Sequence, residues 1–203
     1  MANGLGRLAV KRLSESERFR NGSVDLGIDI ISFWRWSASD LVSNATRGVL
    51  AEYIVAMALG IDVNGVRDEW AAYDLCTDSG IKIEVKSAGY LQSWNQSALS
   101  KVTFSVRKTR AWNADTNALE KKARRQADVY VFALLSHKDK ATVNPMDLSQ
   151  WEFFVLPTSA LNALKPSKHS IAESFLRKNC GRPLTYAELK AEVEKAGRER
   201  DAE

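Results

Sequence analysis

The sequence contains 203 residues, of which 45% are hydrophobic and 27% are charged, a composition typical of a globular domain. The formal net charge of +4 is modest, and no apolar run approaches the roughly 20 residues of a membrane-spanning helix, so the composition argues against a membrane protein. Two cysteines far apart and two isolated histidines argue against a disulfide framework and against a zinc site, so any metal must be held by oxygen ligands.

We predict a single domain with extensions at both ends. Residues 1–20 form an N-terminal arm, residues 21–165 form the core, and residues 166–203 form a C-terminal helical extension of the same domain. The arm carries charged residues throughout and lacks the uninterrupted apolar segment of a secretion signal. We therefore predict a cytoplasmic protein.

An aromatic cluster and a long helix follow the arm. The cluster, which we assign to core packing, comprises Phe33, Trp34 and Trp36. The helix is predicted to run from Asn44 or Thr46, either of which would cap it, to Leu59, with Gly60 as a C-terminal stop. Its main apolar stripe comprises Val49, Leu50, Tyr53, Ile54 and Met57. Because further apolar residues extend this stripe, we expect the helix to be largely buried.

Glu52 lies inside this apolar helix and is the only charged residue between Arg47 and Asp62. Burial of an ionised carboxylate is costly unless a cation or a basic side chain lies nearby. We expect Glu52 to face a metal site. The alternatives are an ion pair with Arg47 and simple exposure.

Two strands joined by a tight loop are predicted next, over residues 70–77 and 81–87. A three-residue loop, Asp78-Ser79-Gly80, with its glycine in the left-handed region would fix the strand register. The resulting pairs are Thr77 with Ile81, Cys76 with Lys82, Leu75 with Ile83, and Asp74 with Glu84. A loop of two or four residues would change them. The alternative first acids are then Asp68, Glu69 and Asp78.

In the predicted register Asp74 and Glu84 face each other, which is unfavourable for like charges unless a cation lies between them. Lys86 projects from the same face as Glu84, about 6.6 Å further along the strand. Two carboxylates, with the peptide carbonyl of Val85 as a further ligand, suit Mg²⁺, and Mn²⁺ is an alternative ion. Such a metal lowers the pKa of a bound water, and Lys86 would orient that water or neutralise developing charge.

The remaining pattern completes a mixed α/β domain around a central sheet. The predicted elements are strands at 101–107, 128–136 and 151–156 and helices at 115–126 and 186–196. The 128–136 strand is apolar throughout, so it should be buried on both faces. The 186–196 helix follows a capping box formed by Thr185 and Glu188.

Positive charge is concentrated between Lys101 and Arg125, where eight basic residues accompany two acidic ones. We predict that this segment contacts nucleic-acid phosphates, with a solvated helix face as the alternative. The predicted contact residues are Lys101, Arg107, Lys108, Arg110, Lys121, Lys122, Arg124 and Arg125.

Polar and aromatic residues also follow the second strand of the hairpin. Ser87 and Gln92 are predicted to contact the metal-bound water or a phosphate, although a strand end and a loop would also explain them. Tyr90, Trp94 and the later Trp112 are suited to stacking on bases.

One motif spans the apolar helix and the hairpin, and it consists of Gly48-x3-Glu52 followed by Asp74-x9-Glu84-Val85-Lys86. Together with the basic helix and the apolar strand that follow, this motif resembles the PD-(D/E)xK nuclease superfamily over about residues 44–136. The resemblance implies a restriction-endonuclease-like αβββαβ core, with a central mixed sheet flanked by helices and with C-terminal helices added. Tyr73 stands where the motif name has proline.

The resemblance implies a Mg²⁺-dependent nuclease that hydrolyses phosphodiester bonds in DNA, with RNA as an alternative substrate, in a restriction or mobile-element system. The implied catalytic residues are Asp74, Glu84, Lys86 and Glu52, and the implied metal ligands are Asp74, Glu84, Val85 and Glu52. A homodimer is expected, because antiparallel strands present two-fold-related phosphates. The alternatives are a catalytically inactive nucleic-acid-binding or assembly module and an unrelated α/β protein whose basic face binds an acidic partner.

Overall fold

The computed structural model describes residues 5–165 and 167–198. Residues 1–4 of the predicted arm, and residues 166 and 199–203 of the predicted extension, lie outside the described residues. None of the helices in the described ranges is long and apolar enough to cross a bilayer.

The described chain contains ten strands and five α-helices. The strands are β1 (Arg18–Asn21), β2 (Val24–Asp29), β3 (Leu75–Cys76), β4 (Lys82–Gly89), β5 (Thr103–Ser105), β6 (Trp112–Asn113), β7 (Ala118–Leu119), β8 (Val129–Leu135), β9 (Trp151–Pro157) and β10 (Ser170–Ala172). The helices are α1 (Ile30–Ala38), α2 (Asn44–Leu59), α3 (Thr158–Leu164), α4 (Glu173–Cys180) and α5 (Leu189–Arg198). Two short 3-10 helices cover Leu148–Gln150 and Tyr186–Glu188.

Four strands form the central sheet, in the order β3-β4-β8-β9. Strand β4 runs parallel to β8 and the other neighbouring pairs are antiparallel, so the sheet is mixed. Every residue of β8 is buried, as expected for a strand that is covered on both faces. The predicted α/β class and the predicted burial of the 128–136 strand on both faces are therefore confirmed.

Side-chain alternation along β8 divides the core into two layers. One layer contains Val131 of β8, Ile54 of α2 and Val193 of α5. The other contains Phe132 of β8, Phe104 of β5, Leu161 of α3 and Leu176 of α4. Helices therefore lie on both faces of the sheet.

Helix α2 begins and ends where predicted, and Gly60 adopts the left-handed conformation (φ 73°) that terminates it. Ser43, rather than Asn44 or Thr46, occupies the N-cap position. The prediction that the helix is largely buried holds for the face that packs on the sheet, where Ala51, Ile54 and Val55 are buried. The exposed apolar residues on its other side are Val49, Tyr53 and Met57.

The hairpin that joins β3 to β4 has the predicted register. Leu75 pairs with Ile83 and Cys76 pairs with Lys82. Gly80 closes the three-residue loop with φ at 81°, a conformation that is costly for residues with a Cβ atom. The loop length and its glycine thus determine which side chains of the two strands face each other.

The first strand of this hairpin is shorter than predicted, because residues 70–73 form turns. The Asp68 carboxylate accepts a hydrogen bond from the backbone N–H of Trp70 at 3.1 Å, and the Asp68 carbonyl accepts one from Ala71 at 3.4 Å. Such local bonds compete with strand pairing. Strand β3 therefore begins only at Leu75.

The basic helix predicted at 115–126 is wrong, since the described connection from β4 to β8 contains no α-helix. Strands β6 and β7 form a hairpin there instead. The Asn113 Oδ1 atom accepts hydrogen bonds from the backbone N–H groups of Asp115 and Thr116, both at 2.9 Å, and this turn prevents a helix from starting.

The strand predicted at 101–107 forms as β5, but it pairs with β10 and does not join the central sheet. With the missing helix, this is the second departure from the predicted αβββαβ order. The observed fold is a mixed α/β domain with a four-stranded mixed sheet.

The N-terminal part of the described chain forms a hairpin, β1–β2, followed by α1. Phe33, Trp34 and Trp36 are 43%, 40% and 84% exposed, so their assignment to core packing is wrong. Phe33 instead contacts Phe19 of β1, with ring centroids 6.5 Å apart. This part has its own aromatic contacts outside the two core layers.

The C-terminal helix confirms the capping box. Thr185 and Glu188 exchange side-chain and backbone hydrogen bonds around a short 3-10 turn. Helix α5 continues from this turn to Arg198 and packs against the sheet through Leu189 and Val193.

Candidate active site at the sheet edge

Two carboxylates and a lysine meet at the sheet edge formed by β3 and β4. Asp74 precedes β3 and is not paired in the ladder, but its backbone N–H donates to the carbonyl of Ile83 at 3.0 Å and its Oδ2 accepts from the backbone N–H of Val85 at 2.7 Å. These two bonds, to the residues on either side of Glu84, hold Asp74 beside Glu84. Lys86 follows on the same face of β4, and its Nζ atom lies 2.5 Å from Oε1 of Glu84. The structure thus brings together the three side chains of the predicted motif, whose catalytic roles stay predictions.

Asp74 is the electrostatically strained member of this cluster. Burial, and then the like charge of Glu84, raise the pKa of the Asp74 carboxyl from 3.8 to about 6. A hydrogen bond of 2.7 Å from the backbone N–H of Val85 to Oδ2, together with the charge of Lys86, acts in the opposite direction. The raised pKa means that the folded protein compensates the charge of Asp74 incompletely.

The donor set of this cluster fits a hard divalent cation. Two carboxylates face one ammonium group, so a cation would relieve the repulsion between Asp74 and Glu84. Across the described ranges, no three His, Cys, Asp or Glu side chains are grouped to hold an ion. An ion held by two carboxylates would take its other ligands from water and substrate oxygens, which Mg²⁺ commonly retains.

Glu52 of α2 lines a neighbouring cleft of about 350 Å³ that also contains Asp74 and Arg67. Both carboxylate oxygens of Glu52 are engaged by the Arg67 guanidinium, from Nε to Oε2 and from Nη2 to Oε1, the latter at 2.9 Å. Glu52 therefore faces the predicted site and is ion-paired there. A metal-binding role for Glu52 would require this pair to open.

The partner of Glu52 is not the one considered from the sequence. Arg47 is buried and donates to the Val42 carbonyl at 2.6 Å and to Asn44 Oδ1 at 2.6 Å. Arg67 was missed because it lies in an irregular loop without periodicity. The signal was present, since Arg67 is the only basic residue between Arg47 and Lys82.

Most of the predicted phosphate-contacting residues are on the surface. The exposed ones are Lys101, Arg107, Lys108, Arg110, Lys121, Lys122 and Arg124. Arg124 is paired with Glu120 at 3.0 Å and the side chain of Arg124 remains 60% exposed. These residues retain the cationic surface that the sequence predicts, although it belongs to loops and a hairpin and not to a helix.

Arg125 is the clear exception, and the prediction that it contacts phosphate is wrong. Its side chain is buried and donates to the carbonyls of Val106, Lys165 and Lys168 and to Oδ1 of Asn162. A buried guanidinium with these partners ties the loop before β8 to the end of α3. It has no donor directed to a bound polyanion.

Ser87 and Gln92 also have internal partners. Ser87 Oγ accepts a hydrogen bond from Nε of Arg47 at 3.2 Å. Gln92 is only 7% exposed, and its Nε2 atom donates to the Gly89 carbonyl and to Ser100 Oγ. Burial of Gln92 argues against its predicted contact with a phosphate, whereas Ser87 is only partly buried.

Fold and site together define a class of protein: a mixed α/β domain with a pair of acidic side chains and a lysine at one edge of its sheet. A family model described as bacteriophage T4 endonuclease IV matches residues 30–170, more than two thirds of the chain. The chain therefore belongs to the phage T4 endonuclease IV family. The matched segment contains the whole sheet-edge cluster, Glu52 and the cationic segment. No curated protein sequence matches the chain.

Proposed function

We propose that this protein is a metal-dependent DNA endonuclease with Asp74, Glu84 and Lys86 in its active site. The observation that carries the proposal is the β3–β4 hairpin, in which the hydrogen bonds of Asp74 to Ile83 and Val85 set two partly buried carboxylates side by side in a chain of an endonuclease family. Family membership supports phosphodiester hydrolysis. The acidic pair supports the metal, because burial and the charge of Glu84 raise the pKa of the Asp74 carboxyl, and a cation would offset this repulsion.

Asp74 and Glu84 would hold the metal, and the carbonyl of Val85 would be a further ligand. A bound Mg²⁺ or Mn²⁺ supplies a more acidic water and offsets charge on the phosphate. Asp74 is held in place by the hydrogen bond that it accepts from the backbone of Val85. This bond fixes the carboxylate to the strand that carries Glu84, so both acids move as one rigid unit.

Lys86 would provide positive charge at the reacting phosphate. In the described structure its ammonium group is paired with Glu84. A cation on Glu84 would weaken this pair and free the ammonium to contact a phosphate oxygen or the attacking water. Its side chain is 29% exposed, so it can reach both the strand and the solvent side of the site.

The likeness to the PD-(D/E)xK superfamily belongs to the same proposal. A hairpin that carries Asp74-x9-Glu84-Val85-Lys86, followed by a parallel central strand, supports a restriction-endonuclease-like core. The absent helix at 115–126 makes this chain a divergent version of such a core. We extend the proposal to a homodimer, to a restriction or mobile-element role and to a cytoplasmic location.

The proposal is tested with the full chain on supercoiled plasmid. Nicking is expected with Mg²⁺ or Mn²⁺ and should stop when a chelator is added. A structured RNA of similar length, tested in parallel, decides between DNA and RNA. Absence of nicking under every metal condition, with binding of DNA retained, would favour the inactive binding module.

A further inference from the structure

We propose that Trp70 and Trp112 form a stacking site for one unpaired nucleobase beside the phosphate that is cleaved. This inference rests on the proposed nuclease function and adds the part of the substrate that the protein recognises. Trp70 lies in the turns before β3, and Trp112 lies in β6. Their ring centroids are 5.5 Å apart and their planes are inclined by 73°, so the two rings form walls that meet at a corner.

Both rings are open to solvent. Trp70 is 64% exposed and Trp112 is 37% exposed. Two large apolar side chains in contact on a surface are costly in the free protein and mark a binding surface when they line a cleft. Here they line one cleft of about 390 Å³.

The same cleft contains the carboxylates of the candidate active site. Its lining includes Asp74 and Glu84 with Trp70 and Trp112, and Arg110 lies at its edge. A ligand on the indole rings is therefore a direct neighbour of whatever the carboxylates bind. If the carboxylates act on a phosphate, the group that reaches the rings is the base of an adjacent nucleotide.

Trp112 is fixed by its own hairpin. Its indole Nε1–H donates to Oδ1 of Asn117 at 3.0 Å. Asn117 is the one non-glycine residue with positive φ (56°) in the described chain, and it occupies the turn between β6 and β7. Because the indole N–H is already satisfied, the ring offers its π face to a ligand. Stacking on an aromatic face is the way in which proteins bind bases of any sequence.

The charges of Asp74 and Glu84 favour a nucleotide over an apolar protein partner on the two rings. A protein partner covering the two rings would also bury Asp74 and Glu84, which already repel each other. A nucleotide instead brings a phosphate, together with its cation, to these acids. Arg107, Lys108 and Arg110 precede Trp112 on the exposed surface and are suited to neighbouring phosphates.

The test measures binding of a short single-stranded oligonucleotide by fluorescence anisotropy with chelator present, so that no cleavage is needed. Trp112→Ala and Trp70→Ala are each expected to weaken binding by about tenfold or more, and Trp112→Tyr should restore most of the affinity. Trp36→Ala is the matched control, because Trp36 is 84% exposed and lies outside this cleft. Thermal unfolding shows whether the variants are folded.

A second probe isolates stacking from charge. An oligonucleotide of the same length with one abasic position should lose affinity for the wild type when that position lies at the site, and Trp112→Ala should reduce its affinity no further. The proposal is overturned if Trp112→Ala loses as much affinity for the abasic oligonucleotide as for the intact one. It is also overturned if both alanine variants bind the intact oligonucleotide as tightly as the wild type does. If the wild type never cleaves but shows this binding pattern, the stacking site stands and the nuclease function is contradicted. If both alanine variants cleave normally, the nuclease function stands and the stacking site is contradicted.

Discussion

The sheet-edge cluster, formed by Asp74, Glu84 and Lys86, and the pair of Glu52 with Arg67 lie close together but differ in how their charge is balanced. Glu52 has a guanidinium on both carboxylate oxygens. Glu84 is paired with the Lys86 ammonium, whereas burial and the charge of Glu84 raise the pKa of Asp74. This difference is the reason why we propose the metal at Asp74 and Glu84 and a structural role for Glu52.

The largest effect, on plasmid nicking, is expected at Asp74 and Glu84. Asp74→Asn or Glu84→Gln should reduce plasmid nicking by at least about 10²–10³-fold, because each removes a charge that a preorganised site requires. Asp78→Asn is the matched control, since Asp78 lies exposed in the loop of the same hairpin. Normal cleavage by Asp74→Asn, or loss of cleavage in Asp78→Asn, would move the active site elsewhere.

Lys86→Ala tests whether Lys86 is needed for turnover and not for metal binding. Both carboxylates remain, so calorimetric titration with Mg²⁺ or Mn²⁺ should show affinity equal to or above that of the wild type. Turnover should nevertheless fall by about 10²-fold, as expected for a group that acts on water or on transition-state charge. Loss of metal binding in this variant would mean that Lys86 organises the carboxylates and does not act on the substrate.

The raised pKa of Asp74 predicts how stability depends on pH in the absence of metal. Below about pH 4 the carboxyl is protonated in both states and has no effect. Between about pH 4 and 6 the unfolded chain releases the proton first, so stability should fall as pH rises, by up to ~3 kcal/mol for a shift from 3.8 to about 6.

Urea denaturation in chelator at several pH values measures this slope. Asp74→Asn should lack it and should be more stable than the wild type at pH 8, whereas Asp78→Asn should retain it. Parallel curves for the wild type and Asp74→Asn would show that the carboxylate pair is not strained.

The smallest effect, on stability, is expected at the ion pair of Glu52 with Arg67. Arg67→Gln leaves Glu52 without its partner and should cost about 1 kcal/mol of stability, a modest value because the Arg67 side chain is 40% exposed. The double variant with Glu52→Gln should recover most of this loss. If Glu52→Gln alone abolishes metal binding, Glu52 is a ligand and the distinction between the two groups fails.

The sequence was most informative where a local rule fixes geometry. A three-residue loop ending in Gly80 determined the register that pairs Leu75 with Ile83, and the apolar run from Val129 identified the central strand. An isolated acid in an apolar helix correctly indicated that Glu52 needs a cationic partner. Its actual partner, Arg67, comes from an irregular loop whose path no periodicity reveals.

The features that were wrongly predicted or missed depend on turns and tertiary contacts that hydrophobic periodicity and composition do not reveal. Residues 115–126 have a composition compatible with a helix, but the side chain of Asn113 and the left-handed Asn117 build a hairpin turn there. The contact between Trp70 and Trp112 joins the turns before β3 to strand β6, far apart along the chain, so it follows from tertiary structure alone. The sequence does not distinguish Arg125 from its exposed neighbours, because the carbonyl groups that it bonds, such as that of Val106, lie in other segments of the chain.

The central claim is that Asp74 and Glu84 together bind the catalytic cation. Its most direct test is a crystal structure of the full chain grown with Mn²⁺, in which anomalous scattering locates the ion. One ion in contact with both carboxylates, with Lys86 released from Glu84, is the result that this account predicts. An ion held by Glu52 without Asp74, or a fully ordered sheet edge with no ion between the two acids, would contradict it.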